Sequence, residues 1–355
     1  MKKLFRALVL LASFTPGWAE YTVRISDLGY APHPPNPVIV YGHVTSEAPL
    51  VLSDGRGAVT VTGITGKPGD FLIVEGDYAD GVLAASQAHC KATLYAGPCR
   101  TEMVYVPAGA FLMGNNGSEP YSAASELPQH EVTLSGYWIG KYEVTRGEYR
   151  AFMQAGGYSN PAYWSSAGWT WKEGRGRTEP DSWAPQQDWG SGPFTQTEVH
   201  PVVAVSYYEA EAYCAWAGGQ LPTEAQWEKA GRWTGSSPNV YPWGNVYDAE
   251  KYNNTNDTLY PGYQTAPVGC YPAGMSPYGC HDVAGNVAEW CLDWFSSSYY
   301  SVSPTQDPQG PATGMYRAIR GCGWNGTDYC ARISARSSNR PENYWTESFG
   351  FRFAR

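Results

Sequence analysis

One stretch in the middle of the chain limits regular helix to short segments between strands and loops. Residues 200–232 read HPVVAVSYYEAEAYCAWAGGQLPTEAQWEKAGR. They predict a strand, then a helix near Tyr207–Ala217 that ends at two glycines, and then another helix. Thr223 and Gln226 form the capping box of that later helix, with a proline just outside it. Because the residues after it predict mostly turns and short strands with little helix, the stretch indicates an α+β domain.

From Met103 to this stretch, the sequence also predicts short strands, loops and a helix. The letters MVYVPAGAFLMGNN open with an alternating strand, and Thr145 is placed to cap a helix that starts near Arg146. The segment from about Gly156 to Thr197 is rich in Trp, Ser and Gly, so it predicts a long loop. We assign residues 101–355 to one domain.

Residues 20–100 predict a separate, β-rich domain. Between residues 36 and 80, apolar and β-branched residues alternate in short runs that are separated by Gly- and Asp-rich turns, as in NPVIVYGHVTS and DFLIVEGDYADG. This pattern favours a small antiparallel sheet or barrel, similar to an oligonucleotide/oligosaccharide-binding (OB-like) barrel. Arg56 and Lys67 are nearly its only positive charges, so a structural or protein-docking role is favoured over binding of nucleic acid.

The first 19 residues have the layout of a secretory signal peptide. MKKLFRALVLLASFTPGWA begins with basic residues, continues with an apolar run from Ala7 to Ala12, and has small residues before a cut after Ala19. The apolar run is too short to span a bilayer, and no later segment approaches that length. We therefore expect the protein to be secreted, periplasmic or on the cell surface, without a membrane span.

Charge and composition narrow the class of partner. Loss of residues 1–19 would remove three positive charges and take the net charge from −9 to −12. An acidic chain repels phosphate backbones, so we expect no nucleic-acid partner. Fifteen Trp and 27 Tyr beside 40 Gly and 27 Pro are typical of a loop-rich globule with an aromatic surface.

Eight cysteines in an exported chain favour disulfides over free thiols. Cys90 and Cys99 flank a predicted turn, so we expect them to pair. The other candidate pairs all lie in the last third of the chain: Cys270 with Cys280, Cys322 with Cys330, or Cys330 with Cys291. Spacing alone does not choose among these pairings.

Six blocks, in order along the chain, resemble the formylglycine-generating enzyme (sulfatase-modifying factor) family. They are MVYVPAGAFLMG, PQHEVTLSGYWIGKYEVTRGEYRAF, residues 200–232, YPWGN, DVAGNVAEWCLDWF and the final RGCGW…SARSSNRP…GFR. The resemblance covers roughly residues 102–355 and implies a variant of the C-type lectin fold, with two helices and long loops. The family contains oxidases, ergothioneine-forming sulfoxide synthases, inactive paralogues and lectin-like receptors, so the fold does not determine the chemistry.

The resemblance also raises the question of copper. In the oxidases, two cysteines five residues apart bind copper(I), a metal that prefers sulfur ligands. Counted back from Arg336, those positions fall here on Asp328 and Gly323, whereas Cys322 and Cys330 are eight residues apart. We therefore expect disulfides rather than a copper site, and keep a copper-dependent oxidase that uses Cys322 and Cys330 as an alternative.

A calcium site is implied by the same resemblance, in the segment HDVAGNVAEW. Its ligands would be Asp282, the carbonyls of Gly285 and Val287, and Glu289, which are the oxygen donors that calcium prefers. A second calcium site would use Asn253 and the carbonyl of Asn254. Its expected acidic ligand is replaced by Pro261.

The C-terminal tract is typical of a binding face, because Tyr, Ser and Asn with Trp and Arg anchors offer rigid contact area and adaptable hydrogen bonds. In the family this face forms the substrate groove. The candidate residues are Trp324, Asn325, Thr327, Asp328, Tyr329, Arg336, Ser338, Asn339, Arg340, Asn343, Tyr344 and Trp345. We expect about half of these aromatics to be buried, and we expect Trp227 and Trp290 to fill the core.

Three functions follow from these observations. The first is an exported family member without the oxidase cysteine pair, which recognises a peptide, a glycan or a protein surface. The second is the copper-dependent oxidase, acting on cysteine in sulfatase-like substrates. The third is an extracellular assembly subunit in which the β-rich N-terminal domain docks copies together.

Overall fold

A computed structural model shows how these elements fold. With side chains it describes residues 102–181, 183, 196–232, 238–256, 264–343 and 347–355, and it describes several further strands by their backbone. The chain divides into two compact units, Met1–Arg100 and Thr101–Arg355. The predicted signal peptide lies outside the described residues.

The strands of the N-terminal unit pair in a ring. Their bounds are β1 (Tyr21–Thr22), β2 (Val38–Glu47), β3 (Leu50–Ser53), β4 (Ala58–Thr62), β5 (Phe71–Ala79) and β6 (Val82–Lys91). The sheet order is β1-β2-β3-β4-β6-β5, and β5 also pairs with β2. Most pairings are antiparallel as predicted, but β4 runs parallel to β6 and β1 runs parallel to β2.

In the part of the C-terminal unit that the structure describes, there are a four-stranded sheet and three two-stranded ladders. Its strands are β7 (Met103–Val106), β8 (Gly109–Met113), β9 (His130–Leu134), β10 (Tyr137–Gly140), β11 (Gln186–Asp188), β12 (Pro193–Thr195), β13 (Ala288–Trp294), β14 (Arg317–Arg320), β15 (Arg336–Asn339) and β16 (Phe349–Gly350). The four-stranded sheet has the order β15-β14-β13-β16, and the ladders are β7/β10, β8/β9 and β11/β12. This mixed, irregular α+β architecture agrees with the predicted class.

Four α-helices lie among the described residues of this unit. They are α1 (Arg146–Gln154), α2 (Ser166–Arg175), α3 (Tyr207–Trp216) and α4 (Glu224–Gly231). Thr145 caps α1 and Thr223 caps α4, as predicted; the capping box predicted for Thr223 is present, and Thr145 also forms one. Helix α2 was not predicted, because it lies in the segment predicted to be a long loop. It begins after the N-cap Ser165 and ends at Gly176, which has the left-handed conformation.

The last residues of the chain form backbone hydrogen bonds with β10 and with the loop between α3 and α4. Trp138 on β10 and Arg355 exchange two backbone hydrogen bonds of 2.8 and 2.9 Å, and the N–H of Gln220 donates to the carbonyl of Ala354 at 2.9 Å. Trp227 on α4 and Trp290 on β13 are fully buried, which confirms their predicted place in the core. Each helix of the described part is too short or too polar to cross a membrane.

Candidate functional site

A groove with a volume of 390 Å³ opens beside the four-stranded sheet. Its lining comes from several parts of the C-terminal unit, and many of the lining residues are small. They are Tyr121, Ala123, Glu126, Ala288, Ile319, Gly321, Cys322, Gly323, Asn325, Gly326, Tyr329, Cys330, Arg332, Ala335, Arg336, Ser337, Ser348 and Phe349. Small residues and backbone therefore form much of the wall, with the sulfurs of Cys322 and Cys330 in it and the exposed rings of Tyr121 and Tyr329 beside them.

The two sulfurs belong to a disulfide between Cys322 and Cys330, whose Cα atoms are 5.2 Å apart. The loop between them turns back twice, because the N–H of Gly326 donates to Gly323 O and the N–H of Cys330 donates to Thr327 O. Cys322 is buried and Cys330 is half-buried, and both line the groove. Although a spacing of eight residues argued against a shared sulfur site, the two turns of this loop bring the sulfurs together.

The charged side chains of the groove are bound by the protein itself. The guanidinium of Arg332 donates to both oxygens of Glu126 at 2.7 and 2.8 Å and to the carbonyl of Tyr121 at 3.0 Å. The guanidinium of Arg336 makes a two-point contact with Glu224, at 2.7 Å for each bond. The side chains of both ion pairs are almost fully buried. The groove thus contains charged residues without offering an unpaired charge.

These pairs are the two ends of a continuous ion-pair chain beneath the groove. It alternates four carboxylates with four guanidinium groups in the order Glu126, Arg332, Glu119, Arg232, Glu228, Arg320, Glu224 and Arg336. Such a chain is electrically neutral, and each buried charge in it has a partner of opposite sign.

Helix α4 holds the middle of the ion-pair chain. Burial raises the pKa of the Glu224 carboxyl, but the guanidinium groups of Arg336 and Arg320 outweigh that effect and lower its pKa overall. The carboxylate form is therefore favoured, and the helix fixes the position of Arg336 at the groove.

The predicted binding face is only partly in the groove. Asn325, Tyr329 and Arg336 line it, whereas Trp324 is buried and donates its indole N–H to the carbonyl of Glu347 at 3.1 Å. The remaining described candidates lie near the groove loop or on and after β15: Thr327, Asp328, Ser338, Asn339, Arg340 and Asn343. Tyr344 and Trp345 lie outside the described residues.

The other side of the groove was missed in the sequence. Tyr121 and Glu126 precede the second motif block, and Ser348 and Phe349 come from the last residues of the chain. Tyr121 is 65% exposed, and the nearby carboxylate of Asp328 raises the pKa of its phenol. No local pattern marks these residues, since only the fold brings them beside Cys322.

The segment expected to bind calcium is organised by protein contacts. The carboxylate of Glu289 accepts from Arg352 Nε and Nη2 at 2.6 Å each and from the indole N–H of Trp227 at 2.9 Å. Asp282 accepts from the N–H of Gly269 at 2.6 Å, beside Gly285 and Val287 in the same turn. Glu289 does not fit a calcium site unless it gives up Arg352, because a buried guanidinium repels a dication.

The second proposed calcium segment keeps one oxygen without a protein partner. Asn253 is buried, and its Oδ1 accepts no hydrogen bond within the described residues. The side-chain oxygen of Asn254 accepts from the N–H of Asn256 at 2.9 Å. Pro261 lies outside the described residues, and calcium binding at either segment stays a prediction.

Two of the other predicted disulfides differ from the structure, and the pairing of Cys90 with Cys99 stays a prediction. Cys280 and Cys291 are buried thiols, so the pairings with Cys270 and with Cys330 are not made. Burial raises the pKa of the Cys280 thiol to about 11. The side chain of Cys99 lies outside the described residues, and so does that of Cys90.

A family comparison fits this fold and this groove. Residues 93–355 match the sulfatase-modifying factor enzyme 1-like domain. The chain belongs to the sulfatase-modifying factor enzyme 1-like family. The resemblance found in the six sequence blocks is thereby confirmed.

Relatives in this family carry the names of enzymes. The chain is 36% identical over 289 residues to the formylglycine-generating enzyme of Streptomyces coelicolor, a match that covers 71% of this chain and 88% of that protein. It is also 36% identical over 252 residues to hercynine oxygenase of Mycolicibacterium smegmatis, where the match covers 67% of this chain but only 58% of that protein.

A solved structure gives the same fold. The structure of PvdO from Pseudomonas aeruginosa superposes with a TM-score of 0.56 at 27% identity, and the match covers 73% of this chain and 96% of PvdO. The sulfatase-modifying factor enzyme 1-like fold is therefore present over the C-terminal unit. Membership of the family does not by itself decide between oxidation and recognition.

Proposed function

We propose that this family member is an exported recognition protein whose groove binds an extended, uncharged peptide segment. The observation that carries the proposal is the bridge between Cys322 and Cys330. Copper(I) in a protein is held by soft thiolate ligands, and a bridged sulfur is not a thiolate. In its bridged state, the groove has binding surface without the donors that an oxidase needs.

The chemistry of the lining supports an uncharged ligand. Glu126, Arg332 and Arg336 are committed to the ion-pair chain, so a charged ligand group would enter the groove without a counter-charge. What remains open is backbone, the side chains of Asn325 and Ser337, and two exposed tyrosines at the rim. These groups suit the amides and small side chains of an extended peptide.

The test uses the full chain with its bridge intact and a panel of fluorescent, uncharged peptides with and without a central cysteine. Tyr329→Ala removes an exposed ring from the groove, and Tyr105→Ala removes a ring of similar exposure on β7, outside the groove (56% and 51% exposed). We expect Tyr329→Ala to weaken binding about tenfold or more, as for an aromatic anchor, and Tyr105→Ala to have no effect.

Binding that does not depend on a cysteine in the peptide agrees with the proposal. Equal loss of binding in both tyrosine variants contradicts it, because the groove would not then be the binding site. Conversion of the cysteine peptide to an aldehyde by copper-loaded protein would also overturn it.

A second candidate is the copper-dependent oxidase, and the meeting of the two sulfurs favours it. Two-electron reduction of the bridge by an added thiol reductant would yield two thiols in the groove at Cys322 and Cys330, and copper(I) would displace their protons to bind the two sulfurs. Bound copper(I) would supply the activation of oxygen. The 36% identity to a formylglycine-generating enzyme supports this candidate as well.

The two candidates separate in one measurement. The protein is reduced, given copper(I) in stoichiometric amount and incubated in air with a cysteine peptide, and the aldehyde is trapped with a hydroxylamine probe. Aldehyde formation that is lost in Cys330→Ala supports the oxidase. Copper binding without aldehyde supports recognition.

We further propose that the N-terminal unit is an OB-like barrel outside the cytoplasm. The ring order of its strands supports the barrel, and the basic and apolar layout of residues 1–19 supports export. Light scattering of the mature chain tests whether this unit joins copies together. A monomer at high concentration would rule out the assembly role.

A further inference from the structure

Gly326 is the residue that lies against both sulfurs of the groove. A Cβ atom added to Gly326 would lie 2.6 Å from Sγ of Cys330 and closer still to Sγ of Cys322. Both separations are well below the contact distance of carbon and sulfur, so even a methyl group would displace at least one sulfur.

The backbone of Gly326 is held from both sides. Its N–H donates to Gly323 O at 2.8 Å, and its carbonyl accepts from the N–H of Thr255 at 3.1 Å. Its φ is not in the left-handed range, so the conformation does not itself require glycine. The need for glycine comes from the sulfurs, because they, and not the backbone, would have to move.

We propose that Gly326 is a positioning residue for the sulfur pair. By having no side chain, it allows Cys322 and Cys330 to meet across a spacing of eight residues and leaves the bridge open to the groove. Its importance to the protein rests on the proposed function of the groove, but its effect on the sulfurs is independent of any ligand.

The test is Gly326→Ala in two backgrounds, the native chain and the double variant Cys322→Ala, Cys330→Ala. In the native background we expect the bridge to fail or to be reduced faster by dithiothreitol, with two more thiols per chain under non-reducing conditions, and a lower Tm. In the double variant the sulfurs are gone, and the next atom near the added methyl is Gly323 O at 3.1 Å. The loss of Tm should therefore largely disappear.

Gly174→Ala is the matched control. A Cβ at Gly174 on α2 meets no atom within 4 Å, so this change should alter neither the thiol count nor the reduction rate. An unchanged bridge in Gly326→Ala, or the same loss of Tm in both backgrounds, would show that Gly326 acts through the backbone and would overturn the inference. A failure of peptide binding leaves the thiol result unaffected, so the two proposals fail separately.

Discussion

Two cysteine-bracketed turns of the C-terminal unit look alike in sequence and are closed in different ways. Cys270 and Cys280 have a sequence separation of ten, and Cys322 and Cys330 have a sequence separation of eight. Both are rich in glycine. Only the second is closed by sulfur, with Gly326 packed against the bridge.

The first turn is closed by its backbone. The N–H of Ser276 donates to the carbonyl of Cys280 at 2.8 Å, and the N–H of Cys280 donates to Ser276 Oγ at 3.2 Å. The thiol of Cys280 is fully buried in the core. Spacing between cysteines therefore says little about pairing, because a sulfur that packs in the core is unavailable to a partner in a loop.

The largest effect should come from Gly274→Ala in the first turn. A Cβ at Gly274 would overlap the backbone carbonyl oxygen of Lys251, which cannot rotate away as a side chain can. We expect the free energy of unfolding to fall by about 3 kcal/mol, measured by urea denaturation. The loss should be the same with and without reductant, and a loss seen only without reductant would contradict the comparison.

Removal of the bridge should have the next largest effect. Cys322→Ala with Cys330→Ala should lower the free energy of unfolding by about 2–3 kcal/mol, because a short closed loop of the unfolded chain is released. Dithiothreitol should lower the Tm of the native chain more than that of the double variant, in which only the predicted Cys90–Cys99 pair would remain to be reduced. A Tm that responds to dithiothreitol in both proteins would point to another bridge.

Alkaline pH should test the buried thiol of the first turn. The pKa of Cys280 is about 11 in the folded chain and near 9 when unfolded, so the folded state binds more protons between these values. The thiol therefore supports stability below pH 9, and this support is lost as pH rises through 11, about 2–3 kcal/mol in all. Denaturation of Cys280→Ala over the same pH range should show a smaller fall than the native chain.

The smallest effect should come from Cys280→Ser. A hydroxyl in this core pocket is desolvated more unfavourably than a thiol, so we expect a loss of about 1–2 kcal/mol by urea denaturation. Dithiothreitol should not change the size of this loss. If the serine variant is as stable as the native chain, the pocket is less apolar than its burial indicates.

Helix caps and family membership were predictable from the sequence, because both depend on residues close together in the chain. Thr145 and Thr223 cap their helices through a partner three residues away. The six blocks identify the family because each is a short sequence motif. Helix α2 was missed because its segment is rich in Ser and Gly, although Ser165 and Gly176 are ordinary end signals.

The groove and the ion-pair chain were decided by the tertiary structure. Glu126 meets Arg332 across 206 residues, and Glu224 meets Arg336 across 112, so no local pattern relates the partners. The sequence by itself determined the family, the helix caps and the presence of two cysteines near the C-terminus. Only folding decided that these cysteines bond to each other. Whether two sulfurs meet depends on how the loop turns and on the absence of a side chain at Gly326.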